Sequence, residues 1–241
     1  MARNKTLLSL LQDYRAEIRA SGNPAHNSAV REAQVRHLQR IQETMWEDYD
    51  WPHLRIRREA PLQAGQRYYV SPEDIPIDRL ERVDVFYNAT WYRLADGITN
   101  DHYALYNSDL DERSWPVERW QWYEDEQIEI WPIPTDNASE GSDREGILRF
   151  TGIRRLRPLV ADDDRADLDD RLLTLTAASE TLAAQGAPDA QFKLQEAVNR
   201  RRHLIGNASK MRRFHIYGTG DGASGRALRG PPRVHYRDRE T

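Results

Sequence analysis

Apolar residues recur at helical spacing twice within the first fifty positions. Leu7, Leu11, Tyr14 and Ile18 fall on one side of a predicted helix, and Gly22-Asn23-Pro24 supplies its stop. Val30, Ala33, His37, Ile41 and Met45 mark a second helix, with Trp46 near its end. Both stripes are narrow, which suits packing against other helices. Asp50-Trp51-Pro52 ends the pattern, because a residue before proline avoids helical torsions.

The period then drops to two. Leu54-Arg55-Ile56-Arg57 alternates, and Ala64-Gly65-Gln66 is a turn ahead of Arg67-Tyr68-Tyr69-Val70. Val83-Asp84-Val85-Phe86-Tyr87 and Trp91-Tyr92-Arg93-Leu94 flank Asn88-Ala89-Thr90, a predicted hairpin. Trp120-Gln121-Trp122-Tyr123 and Ile128-Glu129-Ile130-Trp131 flank the acidic turn Glu124-Asp125-Glu126-Gln127. Asp136 to Gly146 reads as an exposed loop, and Ile147-Leu148-Arg149-Phe150 closes the strand series. Helical spacing returns with Leu168, Leu172, Leu175 and Leu182, preceded by Asp162-Asp163-Asp164 and broken by Gly186-Ala187-Pro188. A fourth helix starts at Ala190, with Leu194, Ala197, Val198 and Ile205 on one side. From Gly206 onward there is no period, only Gly, Arg and Pro231-Pro232.

This order predicts an α+β fold. A helix pair at 1–50 and a second at 158–206 pack into one helical layer. An antiparallel β-sandwich-like domain is inserted at 51–157, and 207–241 forms an extended basic tail. No internal repeat is visible.

Composition narrows the function classes. The 241 residues are 39% hydrophobic and 31% charged, yet carry 7 Trp and 11 Tyr. Such a chain is polar but too rich in large aromatics to be disordered, so a modest core with much interfacial surface is expected. The net charge of -4 argues against a chain that grips nucleic acid along its whole length. With 0 Cys, disulfides, thiolate zinc sites and Cys nucleophiles are excluded. Leu7-Leu8-Ser9-Leu10-Leu11 is broken at once by Gln12-Asp13, so neither a signal peptide nor a membrane helix is expected, and a soluble, unprocessed protein is.

Catalytic patterns do not emerge. None of His26, His37, His53, His102, His203, His215 and His235 pairs at the i, i+4 spacing of a zincin. His37 falls on the apolar stripe of the second helix, where a satisfied boundary histidine is the simpler reading. Asp162-Asp163-Asp164 lacks the Gly of a calcium loop, whose sixth position here is Asp167. It reads instead as an acidic helix start, favourable at the positive end of the helix dipole. Gly218-Thr219-Gly220-Asp221-Gly222 and Gly225 have neither the lysine nor the strand-turn-helix setting of a phosphate loop. No enzyme, metal or cofactor is expected.

Two features remain. Trp120 and Trp122 share one strand face, and with Trp131 they build a sandwich core or a subunit interface. Trp46, Trp51 and Trp115 join them as core or interface candidates. The rival reading is a carbohydrate-binding tail module, which needs Trp120 or Trp131 exposed. The second feature is the C-terminal segment. From Lys210 to Thr241 eight cations face three anions, a net of about +5 in an otherwise acidic chain. A solvated, disordered tail is the plain reading, and salt-dependent DNA contact is a second. The third is docking on an acidic groove, with Phe214, Ile216, Tyr217, Val234 and Tyr236 spaced as anchors for an extended segment.

The order of features also resembles a known family. An N-terminal helix pair ends in Trp46-Glu47-Asp48-Tyr49-Asp50-Trp51-Pro52, followed by Ala64-Gly65-Gln66-Arg67-Tyr68-Tyr69-Val70-Ser71-Pro72. Short strands, Arg157-Pro158-Leu159, the Asp162-Asp163-Asp164 run and a helix pair complete it. Over roughly 5–205 the chain resembles the head-to-tail adaptor (connector) proteins of tailed phages, including the tail tubular protein A type. The resemblance implies a homo-oligomeric ring, commonly of twelve subunits, in the virion neck between the portal protein and a tail or nozzle protein. DNA would pass through its lumen without sequence-specific binding. It also implies that the C-terminal segment docks on the portal, through Arg212, Arg213, Phe214, Tyr217, Arg226, Arg229, Arg233, Tyr236 and Arg237. Aromatics at low hydrophobicity suit large lateral interfaces, and a lumen that passes DNA is better neutral or acidic than basic.

Overall fold

The structure, a computed structural model, describes residues 4–20, 30–139 and 144–210. They fall into two compact units: a helical one up to Leu54 and from Arg155 onward, and a β one spanning Arg55–Arg154. The fold is α+β, and among the described residues the strands fall in the middle of the chain.

In the helical unit α1 is Leu7–Glu17, α2 is Arg31–Glu47, α4 is Asp170–Ala184 and α5 is Ala190–Lys210, while α3, Asn100–Leu105, belongs to the β unit. α4 is the axis. It buries Leu172, Leu173, Leu175, Ala177, Ala178 and Leu182, with Thr174 and Ser179. A helix apolar nearly all round needs neighbours on several sides, and α1, α2 and α5 all pack on it. The Tyr14 hydroxyl meets Thr181 Oγ1 at 2.6 Å, tying α1 to α4.

Two expectations change here. Asp162-Asp163-Asp164 is not the start of the helix: α4 begins at Asp170 and is capped by Asp169, whose Oδ1 accepts from Leu172 N–H at 3.0 Å. Leu168 therefore precedes the helix, although it is fully buried. Asp164 instead closes a turn by accepting from the N–H groups of Val160 and Ala161, which holds its carboxyl below the usual range. Short acids satisfy local backbone as readily as they cap helices, so an acidic run marks the neighbourhood of a start and not its position. The second change is that α5 runs through Gly206 to Lys210. An isolated glycine in a 21-residue helix costs about 1 kcal/mol, too little to end it.

The β unit contains two four-stranded sheets. The first, in the order β1-β8-β3-β4, joins Arg55–Pro61, Ile147–Ile153, Leu80–Tyr87 and Thr90–Arg93, all antiparallel. The second, in the order β2-β7-β6-β5, joins Tyr68–Val70, Gln127–Trp131, Arg119–Tyr123 and Ala95–Asp96, with the short β5 parallel to β6. The β3–β4 hairpin is tighter than expected. Tyr87 pairs with Thr90, so the turn is Asn88-Ala89 alone, both at positive φ, the twist that a two-residue hairpin requires. Likewise Gln127 already belongs to β7, leaving Glu124–Glu126 as the turn.

Alternation sends Val83 and Val85 of β3, Leu148 and Phe150 of β8, Ile128 and Ile130 of β7, and Trp120 of β6 into one core between the sheets. Gly152 is required where β3 bulges against β8. A Cβ there would lie 2.5 Å from the Arg79 carbonyl oxygen and 2.6 Å from Ile75 Cγ2. Residues 95–112 carry no strong period, and they hold β5, the six-residue α3 (Asn100–Leu105) and a 3-10 turn at Ser108–Leu110.

Candidate functional site

The C-terminal docking residues Arg212, Arg213, Phe214, Tyr217, Arg226, Arg229, Arg233, Tyr236 and Arg237 lie outside the described residues. So do Gly22-Asn23-Pro24 and part of the loop after Asp136. What the structure does place is the helix from which the C-terminal segment leaves, and the tryptophans.

In the helical unit, Trp51 is buried at the end of the first helix pair. Its Nε1–H donates to the Met45 carbonyl at 2.9 Å, and Tyr49 packs edge-on at 5.1 Å. Trp46 is half-buried. In the β unit, Trp120 is buried in the inter-sheet core and Trp122 packs on it edge-to-face at 5.7 Å, half-buried. Trp115 is half-buried against the same core, edge-on to Tyr87.

Trp131 is buried, but outside the inter-sheet core that holds Trp120. It lies on the opposite face of the second sheet, because an odd step from Ile130 reverses the side-chain direction. There it is covered by the 97–112 segment, donating from Nε1 to the Tyr106 carbonyl at 3.0 Å and meeting His102 edge-on. The sugar platform required Trp120 or Trp131 at the surface. With 6% and 2% exposure, neither can stack on a glycan.

That outer face also carries a buried polar network. Glu129, 1% exposed, accepts from Arg67 Nε at 2.7 Å, from the Tyr103 hydroxyl at 2.9 Å and from Gln121 Nε2 at 2.8 Å. Arg67 reaches on to Asp109, so one guanidinium links strand, α3 segment and loop. Every member is paired, which is the condition for a buried charge to be tolerated. Burial, helped by hydrogen bonding to Glu129, raises the Tyr103 pKa. Tyr68, desolvated and stacked on Tyr123 at 4.4 Å, is pushed up to about 12.

A second knot holds the start of α4. Asp169 takes a two-toothed grip from Arg200 of α5, at 3.1 and 2.7 Å, besides capping its own helix. Asp167 receives the Arg157 N–H and guanidinium, while its carbonyl accepts from His53 Nε2 at 2.8 Å. Burial pushes the Asp170 carboxyl up, and its Oδ1 has no hydrogen-bond partner. These acids clamp the start of α4 to its neighbours. Among the described residues no group of three or more His, Cys, Asp or Glu could hold a metal ion. No described helix is long and apolar enough to cross a membrane.

Charge is divided unevenly along the sequence. Residues 55–154 hold 12 Lys/Arg against 20 Asp/Glu, a net of -8. Residues 1–54 and 155–210 balance at 7 against 7 and 9 against 9, and 211–241 hold 7 against 3. A β insert that is acidic, a helical part that is neutral and a basic terminus are thus one covalent series. The family model described as SU10 adaptor protein matches residues 5–220 of this chain.

The chain belongs to the SU10 adaptor protein family. The match runs through the helix pairs and the β insert alike, and takes in the first ten positions beyond α5. No curated protein matches the chain. As an SU10 adaptor it is a phage protein with a structural, joining role, and the clamps just described are what hold its two units in shape. Sequence reasoning missed Glu129 as a buried charge and the whole 97–112 cover. The one available signal was a charged residue between Ile128 and Ile130 in a strand whose other neighbours are apolar.

Proposed function

We propose that this SU10-family chain is a head-to-tail adaptor that assembles as a closed homo-oligomeric ring, of about twelve copies as the resemblance implies. In this reading it sits in the virion neck between portal and tail or nozzle protein, without catalysing a reaction, and DNA passes through its lumen. The observation that carries the reading is the family match over 5–220. The division of charge supports it. A neutral helical unit and an acidic β unit present DNA with little to adhere to, since phosphate–cation contacts are what hold DNA to protein.

The basic C-terminal segment is the proposed portal contact, with Arg212, Arg213, Arg226, Arg229, Arg233 and Arg237 supplying charge and Phe214, Tyr217 and Tyr236 supplying anchors. The test is co-sedimentation with the portal of the same phage, comparing the full chain with one ending at Lys210, the last described residue of α5. The full chain is expected to sediment with the portal and the shortened chain to stay behind. Equal binding by both would reassign the contact to another surface. A steeply salt-dependent affinity for free DNA that disappears with the segment would favour DNA binding instead.

A further inference from the structure

We infer that α2 and α5 form the receiving half of a lateral contact between copies, and that the Val160 turn of a neighbouring copy is what it receives. This rests on the ring reading above and names its surface. Between α2 and α5 runs a groove, lined by Ile41, Thr44 and Met45 on one side and Leu194 and Val198 on the other, with α4 as its floor. Leu194 and Val198 are 52% and 41% exposed one helical turn apart, an apolar edge that the helical unit itself leaves uncovered.

The same unit carries a second uncovered apolar point. Val160, 68% exposed, sits on the turn that Asp164 closes, and Leu8, 44% exposed, is tied to that turn by its N–H on the Asp162 carbonyl at 3.2 Å. The turn lies on the far flank of α2 from the groove. Gln39, whose Nε2 donates to the Leu159 carbonyl, and Glu43 face the 156–159 segment, whereas Thr44 and Asp48 face the groove, about 180° round the helix. One copy therefore cannot fill its own groove with its own turn. Two different surfaces, each incomplete and on opposite flanks of one helix, are the arrangement that a heterologous, ring-closing contact needs.

Charge does not oppose the contact, because the groove's carboxylates are met within the copy, Asp48 by Arg201 and Glu180 by Arg40, as is Asp162 of the turn by Arg31. Arg202 stands one position beyond the groove residue Arg201, and Asp163 stands in the turn; neither has an ion partner among the described residues. Apolar contact with one opposed pair fixes direction and register, so the surface selects a second copy rather than any apolar segment.

The absence of cysteine makes the test clean. The full chain carrying both Val160→Cys and Val198→Cys is oxidised, or bridged with a short bis-maleimide, alone and with portal. Expected is a ladder of trimers and higher species from the double variant, whereas each single variant stops at dimer. Separately, Asp163→Arg or Arg202→Glu alone is expected to abolish rings seen by mass photometry, and the two together to restore them. If the wild-type chain forms rings but the double cysteine variant bridges no further than the single ones, this surface is wrong and the ring reading stands. If the wild type shows no species above monomer, alone or with portal, the ring reading fails and this surface with it.

Discussion

The two faces of the second sheet solve opposite problems with the same strands. Toward the first sheet, Ile128, Ile130, Trp120 and Tyr69 interdigitate with Val83, Val85 and Phe150, and the gain is burial of apolar area. Away from it, Glu129, Gln121 and Trp131 lie under the 97–112 segment, held by directed hydrogen bonds and an ion pair together with the ring contacts of Trp131. The inner face needs only shape and is tolerant of conservative exchange. The outer face needs complete pairing, and it is what turns an acidic loop region into a fixed surface.

The largest test of that contrast is Glu129→Ala. It removes the buried carboxylate on which Arg67, Tyr103 and Gln121 converge, leaving the half-buried Arg67 with Asp109 alone, and a loss of about 3 kcal/mol is expected in urea unfolding. Adding Arg67→Met should recover much of it; if the double variant is as unstable as the sum of the singles, the charge pair is not coupled as described. Gly152→Ala comes next, at about 1–3 kcal/mol, since its methyl would press on the Arg79 carbonyl and no flexible side chain can yield. Ile130→Val, on the tolerant inner face, should cost only about 0.5–1.5 kcal/mol. A larger loss there than for Glu129→Ala would reverse the comparison.

The smallest effect belongs to the helical unit. Burial lowers the His37 pKa, and its Nε2 sits 3.4 Å from the Glu180 carboxylate without hydrogen-bond geometry. Because the folded value lies below the unfolded one, the neutral ring's contribution is fully present above about pH 6.5 and fades as pH falls toward the folded value. His37→Gln should flatten that part of the stability profile and leave neutral pH nearly unchanged.

Much of the fold was legible because one period ruled each stretch. Val83 and Val85, or Leu172, Leu175 and Leu182, announce their element by spacing alone. What escaped was structure held by side-chain chemistry. Nothing in the spacing of Arg67, Tyr103 and Glu129 says that they converge, since the residues that meet are 26 to 62 positions apart. The direction of Trp131 was hidden for a related reason. Aromatic character fits either face of a strand, and only the partner register decides. Asp169 was overlooked as a cap because the conspicuous acidic run precedes it by a few residues.

The central claim is that copies of this chain close into a ring that seats on a portal through the segment following α5. Electron microscopy of the full chain mixed with the portal of its own phage addresses this directly. Expected is a second annulus stacked coaxially on the portal, absent when the chain ends at Lys210. Portal particles left bare in the presence of excess full-length, folded chain would contradict it.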